Sequence, residues 1–157
     1  MIHGTYGSNI DTYLTLEEKR IDTAKATSRI QYLCKFTNDM TKTIKYVYGN
    51  KIRHNERSVH LQFIHNTTDA IYSKRINFKP YGYWSYDIYE VSWVDTPDIS
   101  EGRAPTTESE VLEVEDGNGV VQGKVESGKV YITETSGSEQ IKYTEHTEST
   151  TNYLYAN

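Results

Sequence analysis

The stretch GYWSYDIYEVSW, Gly82–Trp93, contains both tryptophans of this 157-residue chain, and its alternation predicts a β-strand. Successive side chains of a strand point to opposite faces, so Trp84 and Ile88 share one face and Trp93 lies on the other. Large apolar side chains occupy the first face up to Ile88 and the second face from Tyr89 onward. This switch predicts a β-bulge near Ile88 and Tyr89, or a strand that passes from one packing partner to another.

The aromatic side chains of this stretch admit two interpretations, a protein core or a ligand-binding surface. A carbohydrate platform would leave at least two rings exposed, and each ring would lose about 1.5 to 3 kcal/mol of burial. Hydrophobic residues make up only 36% of the chain, so that loss is hard to offset. We therefore favour a core or a subunit interface, and the predicted core residues are Ile30, Tyr32, Phe36, Trp84, Tyr86 and Trp93.

Alternating patterns on both sides of this stretch predict further strands. Residues 29–49 alternate on either side of a turn near Asn38, which is typical of a β-hairpin. Residues 59–63 and 72–78 alternate likewise, and residues 17–29 hold at most a turn of helix. Fourteen tyrosines and abundant threonine also favour strands, because aromatic and β-branched side chains suit a pleated surface. The sequence therefore predicts an all-β fold with the thin core of a sandwich.

Composition divides the chain after Trp93. Residues 95–110 collect two of the three prolines together with small polar and acidic residues, which is typical of a loop or linker. Asp116–Gly119 is flanked by β-branched runs, the pattern of a β-hairpin turn. We therefore expect a β-sandwich core at 10–95, a linker or long loop at 96–108, a β-hairpin module at 109–135 that completes or extends the sandwich, and an extended arm or tail at 136–157.

The last residues of the chain predict an anchor. Residues 136–157 are polar and rich in Thr and Glu, yet they close with the large side chains of Tyr153, Leu154 and Tyr155. On an extended strand the two tyrosines face the same way, so they can fill pockets on an adjacent subunit while the backbone adds to a sheet edge. The alternative is an unstructured terminus, since chain ends are mobile unless they are tied down.

No residue pattern in the sequence forms a catalytic or metal-binding motif. His60 and His65 are five positions apart, so they point to opposite faces of a continuous strand, and no Asp or Glu completes a metal-ligand spacing with them. Cys34 is the single cysteine, and we expect it to act as a small buried hydrophobe. We therefore predict a protein that is not an enzyme and that has no cofactor or metal.

Charge and hydropathy exclude two classes of partner. The formal net charge is −5 and the Lys and Arg residues are scattered, whereas a nucleic-acid surface needs a basic patch. No apolar run approaches the roughly 20 residues that span a bilayer, and Met1–Ile10 lacks the regions of a signal peptide. We expect a protein that is made in the cytoplasm and binds neither nucleic acid nor membrane.

Three segments in order carry a resemblance to a known family: LCKFTNDMTKTIKYVYGN (33–50), FKPYGYWSYDIYEV (78–91) and GKVESGKVYI (123–132). Through them, residues 10–135 resemble small virion proteins of tailed bacteriophages, the auxiliary capsid or head decoration proteins of crAss-like and marine phages. The resemblance includes neither the first ten residues nor residues 136–157.

This resemblance implies an immunoglobulin-like β-sandwich without enzyme activity, made in the host cytoplasm and bound in many copies to the outside of an assembled virion shell. The implied partners are the phage major capsid protein or other virion proteins, together with further copies of the chain. Two alternatives stay open. One is a neck or tail adaptor of the same particle, and the other is a carbohydrate-binding adhesin module in which Trp84, Trp93 and neighbouring tyrosines stack on sugar rings.

Overall fold

Two β-sheets packed face to face make up the computed structural model, which describes residues 1–113 and 117–135. The larger sheet has five strands and the smaller sheet has four. The all-β fold predicted from the sequence is confirmed, and none of the helical turns in these residues has the length or apolar character of a membrane-spanning segment. The strands are β1 (Ile2–Thr5), β2 (Ile10–Leu14), β3 (Ile30–Asn38), β4 (Ile44–Tyr48), β5 (Asn50–His54), β6 (Val59–His65), β7 (Arg75–Ile76), β8 (Gly82–Ser92) and β9 (Val120–Thr133).

The order of the strands places β8 in the middle of the larger sheet. That sheet has the order β1-β9-β8-β3-β4, and the smaller sheet has the order β2-β6-β5 with β7 beside β6. All pairings are antiparallel except β1 with β9 and β6 with β7, which are parallel. The predicted hairpin of residues 29–49 is present as β3 and β4.

Strand β8 packs on both of its faces. Its pairing with β3 is regular over the whole of β3, whereas its register against β9 shifts between Ile88 and Tyr89. The extra residue at that shift is Val125, in β9. The irregularity predicted near Ile88 and Tyr89 is therefore a bulge of the neighbouring strand, and β8 itself continues from one packing partner to another.

The main core lies between the two sheets. Trp84, Tyr86 and Ile88 point into it from β8, and the ring of Phe36 meets that of Phe63 edge-on, with centroids 5.2 Å apart. Edge-to-face pairs of this kind add about 0.5 to 1.5 kcal/mol beyond the area that they bury. The six residues that the sequence placed in the core have exposed fractions between 0% and 6%: Ile30, Tyr32, Phe36, Trp84, Tyr86 and Trp93.

A second core lies on the outer face of the larger sheet, under the loop of residues 94–113. Beyond Ile88 the large side chains of β8 occupy this face, and Trp93 is fully buried in it. The sheet is therefore covered on both sides at this end. The buried members of the second core are Leu33, Tyr48, Val91, Trp93 and Ala104.

Hydrogen bonds hold the covering loop against the sheet. The Tyr48 hydroxyl donates to the carbonyl oxygen of Pro105 at 2.6 Å, and the N–H of Gly119 donates to the carbonyl oxygen of Arg103 at 2.7 Å. Residues 96–108, which the sequence indicated as a linker or long loop, thus form a loop that is part of the packed structure.

The hairpin expected within residues 109–135 does not form among the described residues. Residues 111–113 lie in no strand, and β9 pairs with β8 and β1 instead. The turn before β9 is packed on an indole, since a Cβ at Gly119 would lie 2.6 Å from the ring of Trp93.

The strand expected at residues 72–78 is reduced to Arg75–Ile76. Lys74 adopts a φ of 60°, in the left-handed region, which breaks the extended run before the strand begins. Phe78 remains buried in the main core without belonging to a strand. The alternation therefore correctly predicted that Ile76 and Phe78 face the core, but the prediction of a continuous strand was wrong.

A buried carboxylate fixes the loop of residues 15–29 at one end of the sandwich. Glu90 is 0% exposed, and its two carboxylate oxygens accept hydrogen bonds from the N–H groups of Ile21 and Asp22 at 2.9 and 2.8 Å. The same loop contains the ion pair of Arg20 with Glu17 at 2.8 Å. Burial of a carboxylate is costly unless it is hydrogen-bonded, so these two backbone donors are what allow Glu90 to lie in the strand.

Truncating the central tryptophan tests this packing. We expect Trp84→Ala to lower the free energy of unfolding by about 3 to 5 kcal/mol, because it leaves a cavity between the sheets. Tyr83→Ala is the matched control, since Tyr83 is the preceding residue of the same strand and is 45% exposed. Urea denaturation should show a loss below about 1 kcal/mol for the control. Equal losses for the two variants would contradict the placement of Trp84.

Candidate functional site

Three aromatic rings form a row across the half of the larger sheet's outer face that the loop does not cover. His3 of β1, Tyr131 of β9 and Tyr83 of β8 are paired in register across the three strands. The ring centroids of Tyr131 and Tyr83 are 4.6 Å apart, and those of His3 and Tyr131 are 6.2 Å apart. We call His3, Tyr131 and Tyr83 the aromatic row.

The row faces outward because its neighbours along each strand face inward. Trp84 and Val130 are buried in the main core. Gly4 faces Ile10, and a Cβ at Gly4 would lie 2.4 Å from the Ile10 side chain. Since side chains alternate along a strand, the burial of these neighbours places the three rings on the opposite face.

A charged network next to the row holds three elements together. Lys129 of β9 contacts the carboxylate of Asp39 at 2.6 Å and donates to the Ser85 hydroxyl at 2.9 Å, and Ser85 donates to Asp39 at 2.7 Å. Hydrogen bonds from Lys129 and Ser85 hold the pKa of Asp39 below its usual range. The network ties the β3–β4 turn to β8 and β9, so the strands that carry the row are fixed in position.

The row ends at an open sheet edge. β1 is the last strand of the larger sheet and pairs, among the described residues, with β9 alone. A groove of about 410 Å³ runs along this edge, lined by residues of β1, the turn after it, the start of β2 and Thr133. The described chain also ends here, since Thr133 pairs with Thr5 and its carbonyl oxygen accepts the N–H of Tyr6 at 2.8 Å.

The opposite edge of the larger sheet is covered by the chain itself. Lys45 of β4 contacts Asp69 at 2.9 Å and donates to the carbonyl oxygen of Asn77 at 2.5 Å. The N–H of Tyr48 donates to the carbonyl oxygen of Ile71 at 3.4 Å. Residues 69–77 therefore shield β4, whereas the described residues contain no comparable cover for β1.

Glu108 latches the covering loop over the other half of the outer face. Its carboxylate contacts Lys35 at 2.5 Å and accepts a hydrogen bond from the Tyr46 hydroxyl. Partial burial by itself would raise the pKa of Glu108, but the hydrogen bonds from Lys35 and Tyr46 lower it below its usual value. The hydrogen bond to Glu108 in turn raises the pKa of Lys35. The latch limits the exposed outer face to the half that carries the aromatic row.

The smaller sheet carries a separate aromatic pair on its outer face. Tyr13 of β2 stacks on His60 of β6, with ring centroids 4.4 Å apart and planes 17° from parallel, and Tyr13 is 69% exposed. Asp11 accepts hydrogen bonds from His60 at 2.8 Å and from Gln62 at 3.1 Å. The stacked ring is thus bordered by a carboxylate and an amide. We call Tyr13, His60, Asp11 and Gln62 the Tyr13 platform.

The structure separates the residues that the sequence singled out as candidate sites. Trp84 and Trp93 are each 0% exposed, so neither indole is available to stack on a sugar. His60 lies in the Tyr13 platform, while His65 packs edge-on against Tyr6 with centroids 4.5 Å apart. No group of three His, Cys, Asp or Glu side chains within residues 1–113 and 117–135 is arranged to hold a metal ion. Tyr153, Leu154 and Tyr155 lie outside the described residues.

Cys34 is fully buried, in agreement with its expected role as a small hydrophobe. Burial raises the pKa of its thiol well above the usual value. The thiolate is the reactive form of cysteine, so Cys34 is chemically inert in the folded protein.

Sequence reasoning missed the aromatic row. Tyr83 and Tyr131 occupy outward positions of strands that it recognised, but their contact requires the pairing of β8 with β9 rather than a local hairpin. His3 joins them only through a parallel pairing of the first and last described strands. Alternation within each strand was the available signal, and it does not specify which strands are neighbours.

The described residues define an all-β protein in which half of one sheet's outer face is uncovered beside an edge strand that pairs with β9 alone. Comparison of the chain with known protein families, with curated proteins and with solved structures found no match in any of the three.

The Glu108 latch makes stability depend on acid pH. A group whose pKa is lowered by folding contributes stability above its unfolded pKa, and that contribution is lost as the pH falls through the folded pKa. For Glu108 the ordinary value is 4.5, so the loss should occur below about pH 5. We expect Glu108→Gln to cost less than about 1 kcal/mol at pH 7, because the pair is partly exposed, and to flatten the decline between pH 5 and 3.

Chemical denaturation at several pH values measures this effect. Glu101→Gln, which alters an exposed carboxylate of the same loop, is the control and should leave the pH profile unchanged. A Glu108→Gln profile that is parallel to that of the unmodified protein at every pH would show that the latch contributes no pH-dependent stability.

Proposed function

We propose that this chain is a non-catalytic structural protein of a virion, an auxiliary capsid or head decoration protein that docks on the assembled shell of a tailed bacteriophage. Its partners would be the major capsid protein or other virion proteins and further copies of the chain, after synthesis in the host cytoplasm. The resemblance of residues 10–135 to small virion proteins of tailed phages supports the proposal.

The observation that carries the proposal is the aromatic row. Aromatic residues are enriched in protein interfaces, and tyrosine supplies a large contact area at a low cost in conformational entropy. Tyr83 is exposed on a sheet held rigid by the network of Lys129, Asp39 and Ser85. A rigid and exposed aromatic surface beside an open edge is suited to contact with another protein.

The strand order supports the further proposal that the sandwich is immunoglobulin-like. The sheet order β9-β8-β3-β4 corresponds to strands G, F, C and C′ of an immunoglobulin variable domain, and β2-β6-β5 corresponds to strands B, E and D. Domains of this architecture serve many functions, so the order supports the fold and not the virion role.

Mass spectrometry of purified virions tests the proposed role. We expect the chain in the particles at a copy number comparable to that of the major capsid protein. Presence in infected-cell lysate but absence from particles would rule the proposal out. A copy number far below that of the major capsid protein would favour the neck or tail adaptor over the decoration protein.

The surface is tested by binding of purified variants to shells that lack the chain. We expect the double variant Tyr83→Ala with Tyr131→Ala to bind about tenfold more weakly or worse, since loss of an aromatic anchor costs 1 kcal/mol or more per residue at an interface centre. Tyr13→Ala removes an equally large exposed ring from the other sheet and should bind normally. Normal binding by the double variant would mean that the row is not the docking surface.

The Tyr13 platform favours a second candidate function, binding of a saccharide. An exposed ring with a carboxylate and an amide beside it offers an apolar face for the C–H groups of a sugar and hydrogen-bonding partners for its hydroxyl groups. Tyr13 and Asp11 supply these groups without the buried tryptophans.

A glycan array separates this candidate from the first. If it is correct, the unmodified protein binds one class of glycan, Tyr13→Ala abolishes the signal and Tyr83→Ala keeps it. Absence of any signal from the unmodified protein removes the candidate, as does a signal that Tyr13→Ala retains.

A further inference from the structure

We infer that the Tyr13 platform binds an acidic saccharide, with the ring of Tyr13 stacked on a sugar ring and the guanidinium group of Arg53 bound to a carboxylate of the same ligand. This inference rests on the second candidate function proposed above, and it adds the class of saccharide and a further residue that recognises it.

The ring of Tyr13 is held in position before any ligand binds. It stacks on His60 with the two ring planes 17° from parallel, and His60 is itself fixed by its hydrogen bond to Asp11 at 2.8 Å. The side chain of His60 is only 17% exposed, whereas Tyr13 is 69% exposed. One face of the Tyr13 ring therefore rests on the imidazole and the other face is open. A ring that is already ordered loses little conformational entropy when a ligand stacks on it.

A β-bulge in β5 places Arg53 on the same face of the smaller sheet. Lys51 pairs with Leu61 and Arg53 pairs with His60, so Ile52 is an extra residue in β5. Without the bulge, Arg53 would share the face of Lys51, whose partner Leu61 is buried in the main core. Directly paired residues place their side chains on one face, so the bulge turns Arg53 outward beside His60. Bulges that redirect a side chain in this way are over-represented next to functional sites.

The guanidinium group of Arg53 is available for a ligand. Arg53 is exposed, and its side chain makes no hydrogen bond or ion pair with any residue in the described ranges 1–113 and 117–135. Two other cations near it are engaged, since the Lys51 ammonium donates to two backbone carbonyl oxygens at 2.7 and 2.8 Å and Arg57 contacts Glu18 at 3.6 Å. A planar guanidinium matches a carboxylate and binds it through two parallel hydrogen bonds.

Opposite charges at the two sides of the platform set the direction of the ligand. Asp11 lies on β2 and Arg53 on β5, and these two strands flank β6. Neighbouring strands are about 4.8 Å apart, so the backbones of β2 and β5 are separated by about 10 Å, which leaves room for a sugar ring between the charges. Lys74 adds positive charge on the β5 side, where its ammonium donates to the side-chain oxygen of Asn50 at 3.2 Å. The ligand carboxylate would face Arg53, and its hydroxyl groups would face Asp11.

A nucleotide also combines a flat ring with an anionic group, but it fits this face less well. A phosphate carries more negative charge than a carboxylate, and the platform contains the carboxylate of Asp11 in a chain of formal net charge −5. A surface for nucleic acid needs a patch of basic residues. One guanidinium beside a carboxylate and an amide is better matched to a sugar with a single acidic group.

Binding of the full-length protein to an array of paired glycans tests the inference. Each pair consists of a glycan with a uronic or sialic acid and the same glycan with its carboxylate blocked as a methyl ester. We expect the acidic member of a bound pair to bind about tenfold more tightly than the ester, because only the carboxylate makes charge-assisted hydrogen bonds with Arg53. The protein concentration at half-saturation measures this ratio.

Two arginine variants identify the residue responsible. Arg53→Gln should weaken binding of the acidic glycan about tenfold and leave binding of the ester unchanged. Arg57→Gln is the matched control, because it removes the same charge from the turn between β5 and β6 and should alter neither. Equal binding of acid and ester, or an acid preference that Arg53→Gln retains, would overturn the inference. So would displacement of the acidic glycan by 5′-AMP at a lower concentration than by the free glycan, since the face would then prefer a nucleotide.

The outcome for the acidic group is distinguishable from the outcome for the saccharide candidate. Glycan binding that Tyr13→Ala abolishes, without preference for the acidic member of a pair, would keep the candidate and reject the inference. Absence of binding to both members of every pair would reject the two together. The presence of the chain in virions is measured separately and is unaffected by either result.

Discussion

The structure depends on a single strand that must bury large side chains on both faces. β8 places Trp84, Tyr86 and Ile88 in the main core, and Val91 of β8 together with Trp93, the residue after it, then enters the second core on the other side of the sheet. The pairing of β8 with β3 is regular, whereas its pairing with β9 has two register shifts, at Val125 and at Gln122, over the stretch where the packing partner of β8 changes. A chain with few aliphatic residues thereby obtains two small cores from one aromatic stretch.

This division determines which surface stays open. The second core occupies one half of the outer face and brings with it the loop of residues 94–113, which Glu108 latches to Lys35 and Tyr46. Glu90 follows the inward-facing side chains of β8 and accepts hydrogen bonds from backbone N–H groups instead of contacting apolar side chains. These hydrogen bonds hold the loop of residues 15–29 over one end of the sandwich. Within residues 1–113 and 117–135 no segment covers the half of the outer face beside β1, and its outward positions carry the aromatic row.

Local alternation in the sequence was sufficient to predict the strands themselves, but it could not predict which distant strands pair with each other. The hairpin of β3 and β4 and the inward row of Val59, Leu61 and Phe63 follow from period-two patterns next to turn residues. The hairpin expected around Asp116–Gly119 is not seen among the described residues, where residues 111–113 lie in no strand, Gly119 packs under Trp93 and β9 pairs with β8. The aromatic row escaped prediction for the same reason, since His3 reaches Tyr131 only through parallel pairing of distant strands.

The two edge strands of the larger sheet, β4 and β1, differ in how far the described residues cover them. At β4 the chain uses its own residues 69–77 to shield the edge, and this requires the left-handed turn at Lys74 that cuts the expected strand short. At β1 the parallel pairing brings the first strand beside the end of β9, and no other described strand pairs with β1. An exposed edge invites non-specific pairing, which a four-residue strand limits by being short. A four-residue edge offers few backbone hydrogen bonds, so contacts with the flanking rings would have to supply the specificity of any partner strand.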